Sequence, residues 1–127
     1  GGNLEKYSPE ELEICRRNVA LYKEIRPLVQ FGDLYRILDA DRDEVLCNQY
    51  VSRDKMQAVL FLSARGTRFF KKKMNLRFAG LAPDRAYAFT LDGVAYKKGG
   101  AFLMEVGLPV YVRGADYNQI VRLTAVE

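Results

Sequence analysis

The sequence predicts a mainly β chain: an antiparallel β-sandwich of about eight short strands in Greek-key-like order, preceded by one N-terminal α-helix. Three observations carry that expectation. A capped apolar segment with a 3.6-residue period occurs near the start and nowhere else. From residue 33 onward, short apolar or alternating stretches replace it. Clusters of Gly, Pro, Asp and Lys punctuate those stretches as turns. The 127 residues, 49% hydrophobic and 28% charged, suit a single domain able to bury a core, not a disordered segment.

The helix is expected over residues 7–32. Ser8-Pro9-Glu10-Glu11 reads as a capping box: the Ser8 hydroxyl accepts from the Glu11 N–H, and Pro9 stands where its lost N–H is harmless. Ile14, Cys15, Val19, Leu21, Tyr22, Ile25, Leu28 and Val29 form a broad apolar arc, with Arg16, Arg17, Lys23 and Glu24 mostly off it. Pro27 is expected to bend or end the helix, and Gly32 to stop it. So wide an arc needs two things to cover: the domain that follows, and something else.

Strands are expected at Asp33–Leu38, Leu46–Arg53, Gln57–Ala64, Met74–Ala79, Ala86–Leu91, Val94–Lys97, Ala101–Val106 and Ile120–Val126. Asp39–Glu44, Asp54-Lys55 and Gly80–Asp84 read as the turns between them, and Gly99-Gly100 and Gly107-Leu108-Pro109 as further turn signals. There is no internal repeat, and no apolar run approaches the ~20 residues that span a bilayer. Residues 1–6, opening on Gly1-Gly2, read as a tag scar and linker, and residues 33–127 as the sandwich domain.

The composition argues against chemistry within the chain. With no His, it lacks the commonest general base and metal ligand, and Ser8, Ser52 and Ser63 have no imidazole to activate them. No catalytic, cofactor-binding or metal-binding residues are therefore expected, and no cofactor; a substrate-binding set is not legible. Cys15 and Cys47 could join in one disulfide, but nothing resembles a secreted disulfide framework, and buried free thiols are expected. The net charge of +4 is modest and spread along the chain, so neither nucleic acid nor membrane is an expected partner.

Several segments carry a collinear family resemblance. Tyr22-Lys23-Glu24-Ile25-Arg26 and Val29-Gln30-Phe31-Gly32-Asp33-Leu34-Tyr35-Arg36 follow the pattern YKxIRxLVQxGDLYRL. Tyr50-Val51-Ser52-Arg53-Asp54-Lys55 and Ala58-Val59-Leu60-Phe61 come next in the same order. Gly80-Leu81-Ala82-Pro83 with Tyr87 matches LxGLxPxxxY, and Gly100–Leu108 matches GxxLMxxGL. On these residues the chain resembles the C-terminal domain of glycoside hydrolase family 36, the melibiase-like α-galactosidases. It departs from that pattern in carrying Tyr50 and no Trp before Val51-Ser52, and Lys98-Gly99-Gly100-Ala101-Phe102-Leu103-Met104 where SGDxLM is usual.

The resemblance implies a parent with an N-terminal sandwich, a central (β/α)8 barrel and this C-terminal sandwich, with residues 7–32 as the last barrel helix. The parent would cleave terminal α-galactosides with retention, using two carboxyl groups about 5 Å apart. The family's catalytic Asp pair lies on barrel strands upstream, and neither motif occurs here. The implied role is a non-catalytic accessory domain that packs on and stabilises the barrel of the same polypeptide. A homo-oligomer and a cytoplasmic location are further expectations for the parent.

Three other constellations suggest chemistry. Asp39-Ala40-Asp41-Arg42-Asp43-Glu44 imitates an EF-hand opening, but Glu44 and Tyr50 occupy the positions that need Gly and Glu, so a solvated turn is preferred. Phe69-Phe70-Lys71-Lys72-Lys73 offers aromatics and charge for nucleic acid, against a strand edge whose lysines discourage pairing. Tyr35, Tyr50, Tyr87, Tyr96, Tyr111 and Tyr117 could build a sugar platform, making a galactoside-binding module the alternative function; half-buried cross-strand packing is the commoner fate of such residues.

Overall fold

In a computed structural model that describes residues 9–38, 45–64, 71–113 and 117–126, the chain begins with α1, Pro9–Phe31. Pro9 opens it, as its missing N–H allows. Ser8 and the side chains that complete the capping box lie outside the described residues. Pro27 does not end the helix; α1 continues to Phe31. Ile25 and Leu28 flank Pro27 and are both buried on the sheet, which holds the two turns in place despite the lost hydrogen bond.

Gly32 is the stop. Its N–H donates to the Leu28 carbonyl at 2.8 Å. A Cβ here would come within 2.4 Å of the Leu28 oxygen and 2.8 Å of the Val51 oxygen, both backbone atoms, so only glycine lets the chain turn from helix to strand at this point.

Among the described residues eight strands follow: β1 Asp33–Leu38, β2 Val45–Val51, β3 Gln57–Ala64, β4 Lys71–Leu76, β5 Ala86–Leu91, β6 Val94–Gly99, β7 Leu108–Arg113 and β8 Asn118–Val126. A second helix, α2, spans Gly100–Glu105. The mainly β class with one long N-terminal helix is as expected. Six strands form an antiparallel sheet in the order β1-β2-β3-β8-β5-β6, and β4 pairs with β7 in a separate two-stranded sheet. β8 returns from the end of the chain to lie between β3 and β5.

Two expected elements need correction. Ala101–Val106 was expected as a strand and is helix α2. Only Gly100 and Leu103 of that helix are buried, a three-residue spacing that suits a helix facing the core on one side. A short, nearly unbroken apolar run carries no period by which to tell strand from helix. The strand that was missed is β7, which begins within Gly107-Leu108-Pro109. Leu108, Val110 and Val112 are buried while Pro109 and Tyr111 face out, the alternation of a half-buried strand. Pro109 is tolerated because β7 has one hydrogen-bonded neighbour, β4, among the described residues. β4 also sits earlier than expected, ending at Leu76.

The main core lies between the two sheets. Val45, Cys47 and Val51 of β2, Leu60 and Leu62 of β3, Val121 and Leu123 of β8 and Phe89 and Leu91 of β5 meet Leu76, Leu108, Val110 and Val112 from the small sheet and Leu103 from α2. The opposite face of the large sheet is covered by α1: Ile25 and Leu28 pack on Val59, with Leu21, Val29, Tyr50, Phe61 and Ile120 around them. That second layer explains β3, where Ala58, Val59 and Leu60 are buried in succession and the usual alternation lapses. Glu24 of α1 and Arg122 of β8 form an ion pair across the same interface, about half exposed at both ends.

Candidate functional site

The most elaborate polar arrangement joins the β2–β3 turn to the 77–85 loop. The Tyr87 ring is fully buried. Its hydroxyl donates to the Lys55 carbonyl at 2.7 Å and accepts from the Ala82 N–H at 2.9 Å. Lys55, at φ 61°, sends its Nζ to the Gly80 carbonyl at 2.8 Å. Gly80 has φ 68°, and a Cβ on it would lie 2.4 Å from the Tyr35 ring. The Gln49 side chain is fully buried, and its Oε1 accepts from the Ala79 N–H at 2.9 Å. The GLxPxxxY motif thus encodes a loop clamp: glycine under one tyrosine ring, and a second tyrosine supplying the hydroxyl that the loop backbone requires.

At the β2–β3 turn, the Ser52 hydroxyl donates to Asp54 at 2.7 Å, and Asp54 accepts from the Met56 N–H at 3.0 Å. The Met56 and Ser52 bonds hold the Asp54 carboxyl below its ordinary pKa. This is a turn lock, in which Ser52 and Asp54 hold each other and the backbone of Met56 and Gln57.

The tyrosines named from the sequence do not converge on one surface. Tyr35, Tyr96 and Tyr117 pack against the main core; Tyr96 stacks on Phe89 at 5.3 Å, and the Tyr117 hydroxyl donates to Asp92 at 2.9 Å. Tyr87 is in the clamp. Tyr111 is 45% exposed on β7, while Tyr50 lies on the opposite face of the large sheet. Of the two tyrosines not named for a sugar platform, Tyr7 lies outside the described residues and Tyr22 is 52% exposed on α1. Only the helix–sheet geometry reveals it, since its place in the apolar arc pointed to burial.

Of the remaining candidates, Asp39–Glu44, Phe69, Phe70 and the side chains of Lys71, Lys72 and Cys15 lie outside the described residues. Lys73 is exposed on β4. Ser63 is half-buried on β3. Cys47 is a buried free thiol, and burial pushes its pKa up to about 12, so it stays protonated and unreactive. Among the described residues, no three His, Cys, Asp or Glu side chains are grouped to hold a metal ion. No helix there is long and apolar enough to cross a membrane.

Comparison with known proteins agrees with this architecture. The profile of the glycosyl hydrolase family 36 C-terminal domain matches residues 45–123. Alpha-galactosidase AgaA of Geobacillus stearothermophilus is 29% identical over 126 residues, covering 98% of this chain and 17% of AgaA. Its crystal structure superposes with a TM-score of 0.85 over 97% of this chain. The structure of the Lactobacillus brevis α-galactosidase gives a TM-score of 0.81 at 29% identity, over 98% of this chain and 18% of that one. Probable alpha-galactosidase G of Aspergillus terreus is 29% identical over 91% of this chain. The chain spans about a sixth of the length of these relatives. Fold, motif order and profile agree, and the chain belongs to the glycosyl hydrolase family 36 C-terminal domain family.

Proposed function

We propose that this chain is the non-catalytic C-terminal domain of an α-galactosidase, with α1 as the last helix of the catalytic barrel and residues 33–127 as an accessory domain that packs on it. The parent would hydrolyse terminal α-galactosides with retention, and its catalytic carboxylates would lie upstream. The relatives that support this reading are α-galactosidases about six times longer than the matching segment.

The observation that carries the packing role is the two-sided character of α1. One side seals the sheet through Ile25 and Leu28. Away from those contacts, Ala20, Pro27 and Phe31 recur at i, i+7 and i+11 and form an exposed apolar stripe, with Phe31 69% exposed, while Val19, 53% exposed, lies a third of a turn away. An exposed apolar stripe on a helix already seated on one layer suits a second layer. Burying a Phe side chain contributes about 1.5–3 kcal/mol.

Phe31→Ser is therefore expected to destabilise the intact parent by about 2 kcal/mol while leaving the 127-residue chain unchanged. Thermal unfolding of both, beside aryl α-galactoside hydrolysis by parent and chain, is the test. Equal effects of Phe31→Ser on parent and chain would overturn the packing role. Hydrolysis by the 127-residue chain alone would overturn the non-catalytic assignment.

A further inference from the structure

We propose that a second α-helix, from the polypeptide upstream of this chain, docks in the angle between the flank of α1 and the outer face of β8 and β5. This docking rests on the accessory role of the domain and fixes which surface the upstream polypeptide covers.

The helix wall follows from spacing. Ala20, Glu24, Pro27 and Phe31 fall within about 60° of arc on α1, and all four are exposed. Leu21, Ile25 and Leu28, which pack on the sheet, lie a quarter of a turn round the helix from them. The stripe therefore points along the sheet surface, not straight away from it. Glu24 gives the direction, because it pairs with Arg122 of β8: the stripe looks towards β8 and β5, not towards β1. The floor follows from the pleat. Phe89 and Leu91 of β5 face the core, so Ala88 and Thr90 face out, with Thr124 of β8 opposite Ala88 and Ala95 of β6 opposite Thr90. These floor residues border a hollow of about 460 Å³. A second hollow, about 510 Å³, runs beside α1 from Glu24 to Phe31. The two adjoin where Gln57 pairs with Thr124 and Glu24 with Arg122.

Width sets the occupant. α1 sits over β2 and β3. Strands lie about 4.8 Å apart, so the β8–β5 pair is two strand spacings, about 9.6 Å, from the strands beneath α1. Packed helices stand about 8–10 Å apart. One helix laid beside α1 thus lands on Ala88, Thr90 and Thr124, with its flank against Ala20, Pro27 and Phe31. Side-chain size agrees. Ala packs against nothing on an exposed strand and is depleted there, whereas beneath a second layer a short side chain lets a helix approach. The two charges where the hollows join already pair with each other, so a neutral helix face fits and a charged ligand is not called for. The relatives locate the source: the matching segment is a C-terminal domain about a sixth of their length, so most of their chain lies upstream. A second copy of this chain is a poor occupant, since its one long helix among the described residues is already seated on its own sheet.

The test is thiol labelling of single-cysteine substitutions, read peptide by peptide by mass spectrometry, in the intact parent and in the 127-residue chain. Thr90→Cys and Phe31→Cys should label at least about tenfold more slowly in the parent than in the chain. Tyr111→Cys on the small sheet and Val94→Cys beyond the width of one helix, at sites 45% and 51% exposed, should label equally in both. Thr90 and Phe31 are exposed, so both variants should keep the wild-type circular dichroism spectrum; Ala95→Cys, also exposed, replaces Thr90→Cys if it does not. Equal labelling of Thr90→Cys in parent and chain overturns the docked helix: with Phe31→Cys still protected, the accessory role stands without it, and with neither protected both fall. Protection that extends to Val94→Cys overturns a single helix as the cover. Protection of Thr90→Cys within the 127-residue chain that disappears on dilution identifies a second copy and overturns the upstream helix.

Discussion

Replacing Tyr87 by Phe removes one oxygen from the centre of the loop clamp and leaves the ring in place. The side chain is fully buried, so ring packing should survive. What is lost is the hydroxyl that donates to the Lys55 carbonyl at 2.7 Å and accepts from the Ala82 N–H at 2.9 Å. The Lys55 carbonyl belongs to a turn near solvent and can recover a water; the Ala82 N–H is in a buried bond and cannot do so readily. One net hydrogen bond contributes about 1 kcal/mol, and an orphaned buried donor adds about 1–3 kcal/mol, so Tyr87→Phe should destabilise by about 2–4 kcal/mol. At roughly 4 °C per kcal/mol for a domain of this size, that is a fall in Tm of about 8–16 °C. With a urea m-value of about 2 kcal/mol/M, the midpoint should move by about 1–2 M. Equilibrium urea unfolding followed by far-UV circular dichroism measures it. Tyr111→Phe is the control, because that side chain is 45% exposed on β7 and should stay within about 0.5 kcal/mol of wild type. A Tyr87→Phe variant as stable as that control would refute the view that this hydroxyl holds the 77–85 loop to the β2–β3 turn.

Two further outcomes follow from other parts of the fold. Gly32→Ala should destabilise by about 1–3 kcal/mol, since the new Cβ meets backbone oxygens of Leu28 and Val51 that cannot swing aside, while Gly99→Ala, with open space around it, should be close to neutral; differential scanning calorimetry of the pair decides this. Cys47 should resist thiol reagents at pH 8 in the native chain and react only on unfolding, in a Cys15→Ser background. Its folded pKa is raised from 9.0 to about 12, so the stability it contributes is intact below pH 9 and is lost as pH rises from 9 towards 12. That loss runs at about 1.4 kcal/mol per pH unit, a slope that Cys47→Ala should remove from alkaline urea-unfolding curves.

The helix, the alternating strands and the family motifs were legible in the residues because each is a local signal. Ile25 and Leu28 are one turn apart whatever they pack on, and Cys47, Gln49 and Val51 share a face whatever lies opposite. Where the local signal was ambiguous, the surroundings decided. The run Ala101–Val106 carries no period, and it is a helix because the space over the core admits Leu103 from one side of a short turn. β7 was hidden by its opening Pro109, which a central strand would exclude but a two-stranded sheet admits.

The sequence by itself determined the class of fold, the order of most elements, the glycine that separates helix from sheet and the family. The tertiary structure alone decided that the sheets are unequal, six strands and two, and that α1 lies across the outer face of the large one. It also decided which charges meet, since Glu24 and Arg122 are 98 positions apart and pair only when helix and sheet pack. The physical reason is range: dihedral preference and periodicity act within a few residues, whereas burial, pairing and the shape of a cleft depend on parts of the chain that share no local signal.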